Sequence, residues 1–179
     1  MLGIFCEILV AQREARKPLV AELKLRKTNG EKDLTIFNGK IVQKRVRINK
    51  EELVCFYINA RNLVNKFEQF KAWVYALNAD IIGVTESWAW SQVLDSELLL
   101  QGYDIFRQDR EVDRAGGGVL LYVRSTLNAV KFIPKTHYPE HVWCCLLDSH
   151  QNQVHVGVCY RTPTVNIYMV RVITIYYVI

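Results

Sequence analysis

Two polar side chains stand at the ends of two apolar runs, and both could bind a hard metal ion. The run ELVCFYI leads into Asn59, and the run DIIGVT leads into Glu86. Strand, helix and strand form a predicted βαβ unit, so the two strands should be parallel and end at one sheet edge. Ligands of such sheets bind beyond that edge. An amide oxygen and a carboxylate there suit Mg²⁺ or Mn²⁺.

The same two residues have ordinary alternatives. A glutamate after a strand is commonly a loop residue in water, and an asparagine before a helix is commonly a cap. Spacing alone leaves the metal site and these alternatives open.

The segment between the two runs has the pattern of an amphipathic helix. Its apolar residues recur at spacings of three and four, which predicts one buried face. They are Leu63, Phe67, Phe70, Val74 and Leu77. Asn62 is the candidate N-cap.

The rest of the chain is predicted to be mostly β-structure. Single strands are expected over YDIFRQ (103–108), GGGVLLYVR (116–124) and NAVKFI (128–133). HVWCCLLD and VHVGVCYR flank the polar turn SHQNQ and predict an antiparallel hairpin. Asn38-Gly39 lies between two β-rich runs and predicts a second hairpin. The three glycines at 116–118 are not followed by G-K-[ST], so they predict a tight turn into the strand rather than a phosphate loop.

Length and charge narrow the class of protein. The 179 residues suit a single domain. Residues 1–50 contain 12 Lys and Arg against 5 Asp and Glu, whereas residues 51–179 contain 11 against 13. The basic excess therefore lies in the first fifty residues. It is typical of an arm that binds nucleic acid, or of a solvated basic segment.

Cysteine and hydropathy patterns favour a nuclear or cytoplasmic protein that is not secreted. None of the five cysteines forms a C-x-x-C pair, and the four histidines lack H-x-x-x-H spacing. These patterns argue against a zinc site and against a disulfide-linked partner. No signal peptide is indicated, and the run MVRVITIYYVI is too short to cross a bilayer. The sequence carries no signal for an oligomeric state.

Five segments occur in the order of a known family. They are YINARNLVNK, ADIIGVTESW, GYDIFRQDR, GGGVLLYVRSTL and VHVGVCYRTP. Over about residues 52–168 they resemble the endonuclease/exonuclease/phosphatase superfamily, and more narrowly the N-terminal half of the apurinic-type endonuclease domain of non-LTR retrotransposons. The resemblance implies an α/β fold, an incomplete four-layered α/β sandwich. It also implies Mg²⁺-dependent nicking of target DNA, which primes reverse transcription.

The resemblance also implies roles for three residues. Asn59 would help to order the metal and the active site, and Glu86 would be the metal ligand. Tyr160 would lie beside the scissile phosphate. From its position next to Tyr160, Arg161 is expected either to approach the DNA backbone or to be an exposed cation at a strand end.

The chain departs from the family pattern in ways that affect activity. The family's G-D-x-N and S-D-H motifs do not occur, and Asp148-Ser149-His150 has the reverse order and lies in a predicted turn. We therefore expect a truncated copy with little or no activity. One alternative is a non-catalytic module that binds nucleic acid or protein, and another is a phosphatase or phosphodiesterase for small esters.

The segments predict three parts of the chain. Residues 1–50 would be a basic N-terminal extension with a possible hairpin. Residues 51–168 would be the partial endonuclease-like domain. Residues 169–179 would be an apolar tail outside the family pattern.

Overall fold

The structure is a computed structural model. It describes residues 52–110, 116–135, 140–147 and 150–160 with their side chains. It describes the strands at 5–10, 35–36, 41–48 and 171–178, and residue 51, by their backbone alone.

The described residues form eleven strands and one α-helix. In chain order the strands are β1 (Phe5–Val10), β2 (Thr35–Ile36), β3 (Ile41–Ile48), β4 (Glu51–Asn59), β5 (Ile81–Thr85), β6 (Tyr103–Gln108), β7 (Val119–Arg124), β8 (Val130–Phe132), β9 (His141–Leu147), β10 (Gln153–Cys159) and β11 (Arg171–Val178). The helix is α1 (Phe67–Leu77).

The first sheet has six strands in the order β2-β3-β4-β5-β7-β6. Its β4 and β5 run parallel, with Asn59 opposite Thr85, so the pairing predicted for the βαβ unit is confirmed. β2 pairs antiparallel with β3, and Ile36 lies opposite Ile41. That is the pairing expected across Asn38-Gly39, although the turn itself lies outside the described residues.

The second sheet has five strands in the order β1-β11-β10-β9-β8. The predicted hairpin is confirmed, because β9 and β10 pair antiparallel. β11 pairs with β10 on one side and with β1 on the other. Strands from both ends of the chain thus complete this sheet. The division into residues 1–50, 51–168 and 169–179 stays a prediction.

The predicted helix is confirmed with a short 3-10 turn at its start. The turn spans Val64–Lys66, and Oδ1 of Asn62 accepts a hydrogen bond from the backbone N–H of Asn65 at 3.2 Å. Phe70 and Val74 are buried on the face that the spacing predicts. The helix ends at Leu77, and the following residue, Asn78, has the left-handed backbone that suits a C-cap position.

The central strands β4, β5 and β7 of the first sheet are buried on both faces. One face packs against the second sheet through alternating side chains such as Tyr57, Leu121 and Val156. The other face packs against α1 and the segment that follows Glu86, through Phe56, Tyr122 and their neighbours. This arrangement explains why β4, β5 and β7 read as continuous apolar runs.

The α/β class is confirmed, with two packed sheets and one helical layer in the described part of the chain. Within those residues no helix covers the outer face of the second sheet, so the sandwich is partial. No helix among them is long and apolar enough to cross a membrane. The four cysteines with described side chains, Cys55, Cys144, Cys145 and Cys159, are free thiols.

Candidate active site

Glu86 stands at the carboxyl end of β5 in a backbone conformation that is uncommon for its type. Its φ of 56° lies in the left-handed region. The carbonyl oxygen of Glu86 accepts a hydrogen bond from the N–H of Asn62 at 3.0 Å. The next residue, Ser87, donates its N–H to the carbonyl of Gly118 at 3.2 Å. The surrounding backbone thus holds Glu86 in this conformation, as is common at functional sites.

Three donors converge on the Glu86 carboxylate. Oε2 accepts from the indole Nε1 of Trp88 at 2.8 Å and from the backbone N–H of Gly117 at 3.0 Å. Oε1 accepts from the hydroxyl of Tyr160. A carboxylate has about four lone-pair positions, so these donors fix its orientation and leave room for about one further ligand.

Asn59 ends the neighbouring strand with an unsatisfied oxygen. The residue is 8% exposed, and its Oδ1 is buried without a hydrogen-bond partner in the described part of the structure. Buried polar atoms are nearly always paired, so this oxygen is a candidate ligand atom for a metal ion. Asn59 caps no helix among the described residues, because the N-caps of the 3-10 turn and of α1 are Leu63 and Lys66; the N-cap predicted at Asn62 is therefore wrong as well. The amide and carboxylate oxygens of Asn59 and Glu86 therefore fit a hard divalent cation.

Tyr160 joins the second sheet to the site. It directly follows β10, and its ring is buried in the core between the sheets, leaving 6% of the residue exposed. Its hydroxyl reaches the carboxylate that follows β5 in the first sheet. The structure thus brings together Asn59, Glu86 and Tyr160, the three residues assigned by resemblance.

The glycines before β7 form the wall beside the carboxylate. All three have positive φ, of 103°, 79° and 77° for Gly116, Gly117 and Gly118, as a tight turn into the strand requires. A Cβ on Gly117 would lie 2.3 Å from Nε of Arg110. A larger residue could not occupy this position without displacing the guanidinium.

A buried ion pair supports this glycine segment. Nε of Arg110 lies 2.6 Å from Oε1 of Glu140, and the two side chains are only 18% and 8% exposed. Oε2 of Glu140 accepts the N–H of Gly118 at 3.0 Å. Sequence reasoning missed both residues, because a lone arginine and a lone glutamate thirty positions apart form no recognisable spacing. Trp88 stood inside the quoted segment ADIIGVTESW, but its role was not predicted.

Four further residues were considered from the sequence, and the structure describes one of them, His150, at a distance from Glu86. Arg161 lies outside the described residues, as do Asp148 and Ser149. His150 lies in the turn before β10, whereas Tyr160 follows its far end. A seven-residue strand separates them by roughly 20 Å.

A comparison with models of known protein families shows which family the chain belongs to. The model of the Endonuclease/Exonuclease/phosphatase family matches residues 55–172. The chain belongs to this family. The match contains Asn59, Glu86 and Tyr160 and covers nearly the range expected from the five segments. The search of curated proteins returned no match for the chain.

Membership of the endonuclease/exonuclease/phosphatase family gives the general class of chemistry. Its enzymes hydrolyse phosphoesters and generally use divalent metals. The hard oxygen donors at the ends of β4 and β5 are consistent with such an ion. In the described residues no group of three or more His, Cys, Asp or Glu side chains is close enough to hold a metal. Any ion here would therefore keep several waters, as Mg²⁺ does.

Proposed function

We propose that this protein is a Mg²⁺-dependent DNA endonuclease of the apurinic type found in non-LTR retrotransposons, with little or no turnover. The observation that carries the proposal is the set of donors on Glu86, above all the Tyr160 hydroxyl from the opposite sheet. This set orients one carboxylate at the sheet edge where ligands of the fold bind.

The residues of the site would divide the work as follows. Glu86 and Asn59 would hold the ion, which when bound supplies charge neutralisation for the phosphate. Tyr160 would orient the carboxylate and lie beside the scissile phosphate. The apolar packing around its ring excludes water from the inner side of the site.

The proposed low turnover is inferred from the carboxylates near Glu86 in the described part of the chain. Hydrolysis also needs a base that takes a proton from the attacking water. Glu140 is occupied by Arg110 and by the N–H of Gly118, so it is unsuited to that role. Glu86 would be engaged with the ion.

DNA is the proposed substrate because two sequence features agree with it. The five segments resemble the sequence motifs of endonucleases that nick DNA, and the first fifty residues carry the excess of basic residues. Neutralisation of backbone phosphates by such a segment favours DNA binding in a salt-dependent way. We accordingly propose a nuclear or cytoplasmic place of action.

Nicking of supercoiled plasmid tests this proposal. We expect slow nicking with Mg²⁺ that stops in EDTA and in Glu86→Gln. The matched control is Glu68→Gln, which changes an exposed glutamate paired with Lys71 on α1. Nicking that persists in Glu86→Gln would refute the assigned site.

A second candidate is a module that binds DNA without cutting it. The ion pair between Glu140 and Arg110 favours this function. Glu140 is then neutralised by an arginine, so among the described residues of the site at most Glu86 is left as an acidic group for catalysis. DNA binding that weakens with salt, ignores EDTA and survives Glu86→Gln would support this function. A panel of small phosphate esters in the same assay tests the phosphatase alternative.

A further inference from the structure

Two of the three donors on Glu86 belong to segments that contact Glu140. Oε2 of Glu140 accepts a hydrogen bond from the N–H of Gly118, which is the sequence neighbour of the donor Gly117. The backbone carbonyl of Glu140 accepts the N–H of Tyr160 at 2.8 Å. Glu140 therefore connects, through one side-chain and one backbone contact, the two segments that approach Glu86 from opposite sheets.

Arg110 contacts both the glycine segment and Glu140. A Cβ on Gly117 would lie 2.3 Å from Nε, 2.4 Å from Cζ and 2.5 Å from Nη2 of Arg110, so the guanidinium lies directly against the glycine. Nε donates to Glu140. A Cβ added to Gly116 would lie 3.4 Å from Oε2 of Glu86 and 3.8 Å from Nη1 of Arg110. The guanidinium and the Glu86 carboxylate thus border the same small space.

The pair behaves as one unit because both charges are largely buried. Removing one partner of such a pair leaves an uncompensated charge beside the other, which is strongly unfavourable. The guanidinium would leave Gly117, or the carboxylate would release Gly118. Either movement displaces the N–H that orients Glu86.

We propose that Arg110 and Glu140 are positioning residues for Glu86. Together they hold the Gly117 N–H and the Tyr160 segment against the carboxylate, so that its remaining lone pair points in one direction. The geometric part of this inference stands alone, and its consequence for catalysis rests on the proposed function. Loss of groups that orient a metal ligand typically weakens metal binding or activity by about 10- to 100-fold.

Hydrogen exchange at single glycine amides tests the geometric part. In protein labelled with ¹⁵N-glycine, the Gly117 amide hydrogen should exchange slowly with solvent because it is hydrogen-bonded to the Glu86 carboxylate. We expect Arg110→Gln to speed its exchange by about tenfold or more, since a charge-assisted hydrogen bond is lost. Glu140→Gln should act in the same direction, and it serves as the second variant if Arg110→Gln fails to fold.

Arg124→Gln is the matched control. Arg124 donates to Oδ1 of Asp80 at 2.9 Å and ends β7 at the side opposite the glycines. This substitution breaks a comparable arginine–carboxylate pair and should leave Gly117 exchange within about twofold of wild type. Unchanged Gly117 exchange in both Arg110→Gln and Glu140→Gln would overturn the proposal. So would equal acceleration in Arg124→Gln, which would indicate general loosening.

Binding of Mn²⁺, followed by electron paramagnetic resonance, tests the functional part. We expect affinity about 10- to 100-fold weaker in Glu140→Gln than in wild type, with Arg124→Gln unchanged. Equal Mn²⁺ affinity in wild type and Glu140→Gln would contradict a positioning role toward the ion. If wild-type protein binds no Mn²⁺ and nicks no plasmid, the proposed function fails, while the glycine exchange still decides whether the pair orients Glu86.

Discussion

The hydroxyl of Tyr160 donates a hydrogen bond to Oε1 of Glu86 across the two sheets of the sandwich, although 74 positions of sequence separate the two residues. Glu86 follows β5 of the six-stranded sheet, and Tyr160 follows β10 of the five-stranded sheet. The contact forms only when the sheets pack in one relative position. Correct packing of the core and correct orientation of the carboxylate are therefore the same structural event.

Tyr160→Phe isolates this hydroxyl from the packing of the ring. The phenylalanine ring fills the same buried space, so we expect the free energy of unfolding to change by about 1 kcal/mol or less. Affinity for Mn²⁺ should fall by about tenfold or more, because Glu86 loses one orienting donor. Urea denaturation and metal titration measure the two effects separately.

Tyr122→Phe is the control for that substitution. The Tyr122 hydroxyl donates to the carbonyl of Leu98 at 2.9 Å on the other face of the first sheet. Its loss should cost a similar free energy of unfolding without changing metal affinity. Equal loss of affinity in both variants would show that the Tyr160 hydroxyl has no specific role.

Gly117→Ala should destabilise the protein more than Gly102→Ala. Both residues have left-handed backbones, with φ of 79° and 83°, so both substitutions carry a backbone cost of about 1–2 kcal/mol. Only at Gly117 does the new Cβ meet a side chain, because nothing lies within 4 Å at Gly102. We expect a further loss of about 1–3 kcal/mol at Gly117 from displacement of Arg110. Equal values in urea denaturation would argue against the close contact.

His155 should make the protein less stable at mildly acidic pH. Burial lowers the pKa of His155 below its ordinary value of 6.5, and its ring stacks on Phe132 with 3.9 Å between centroids. Between the folded and unfolded pKa values the unfolded chain holds more protons, so stability is lost as pH falls through that window.

His155→Phe tests this pH dependence, since it keeps an aromatic ring against Phe132 but cannot be protonated. The free energy of unfolding, measured at pH 7.5 and pH 5.0, should fall less in this variant than in wild type. An identical fall in both proteins would mean that other groups cause the acid sensitivity.

The thiols of Cys144 and Cys159 should react slowly in the folded protein. Burial raises the pKa of Cys144 to about 12 and that of Cys159 to about 11, and the thiolate is the reactive form. We expect iodoacetamide at pH 8 to label both residues far more slowly than in denaturant, as mapped by peptide mass spectrometry. Rapid labelling of Cys144, which is fully buried, would show that β9 opens readily.

Local patterns were sufficient to predict the βαβ unit and its edge. Alternation and helical spacing depend on neighbours in sequence, and so does the hydrogen bond that Asn62 accepts from the N–H of Asn65. The parallel pairing that places Asn59 opposite Thr85 follows from the length of the crossover. For these reasons short-range patterns alone place Asn59 and Glu86 at one sheet edge.

The sequence by itself therefore determined the βαβ unit, the hairpin of β9 and β10, the α/β class and two residues at one end of the first sheet, because these depend on short-range periodicity. Only the tertiary structure decided which groups orient Glu86. The Tyr160 hydroxyl, the Gly117 amide and the Arg110–Glu140 pair reach it from distant segments. Such contacts depend on how the two sheets pack, and no spacing within the chain encodes a meeting between residues so far apart.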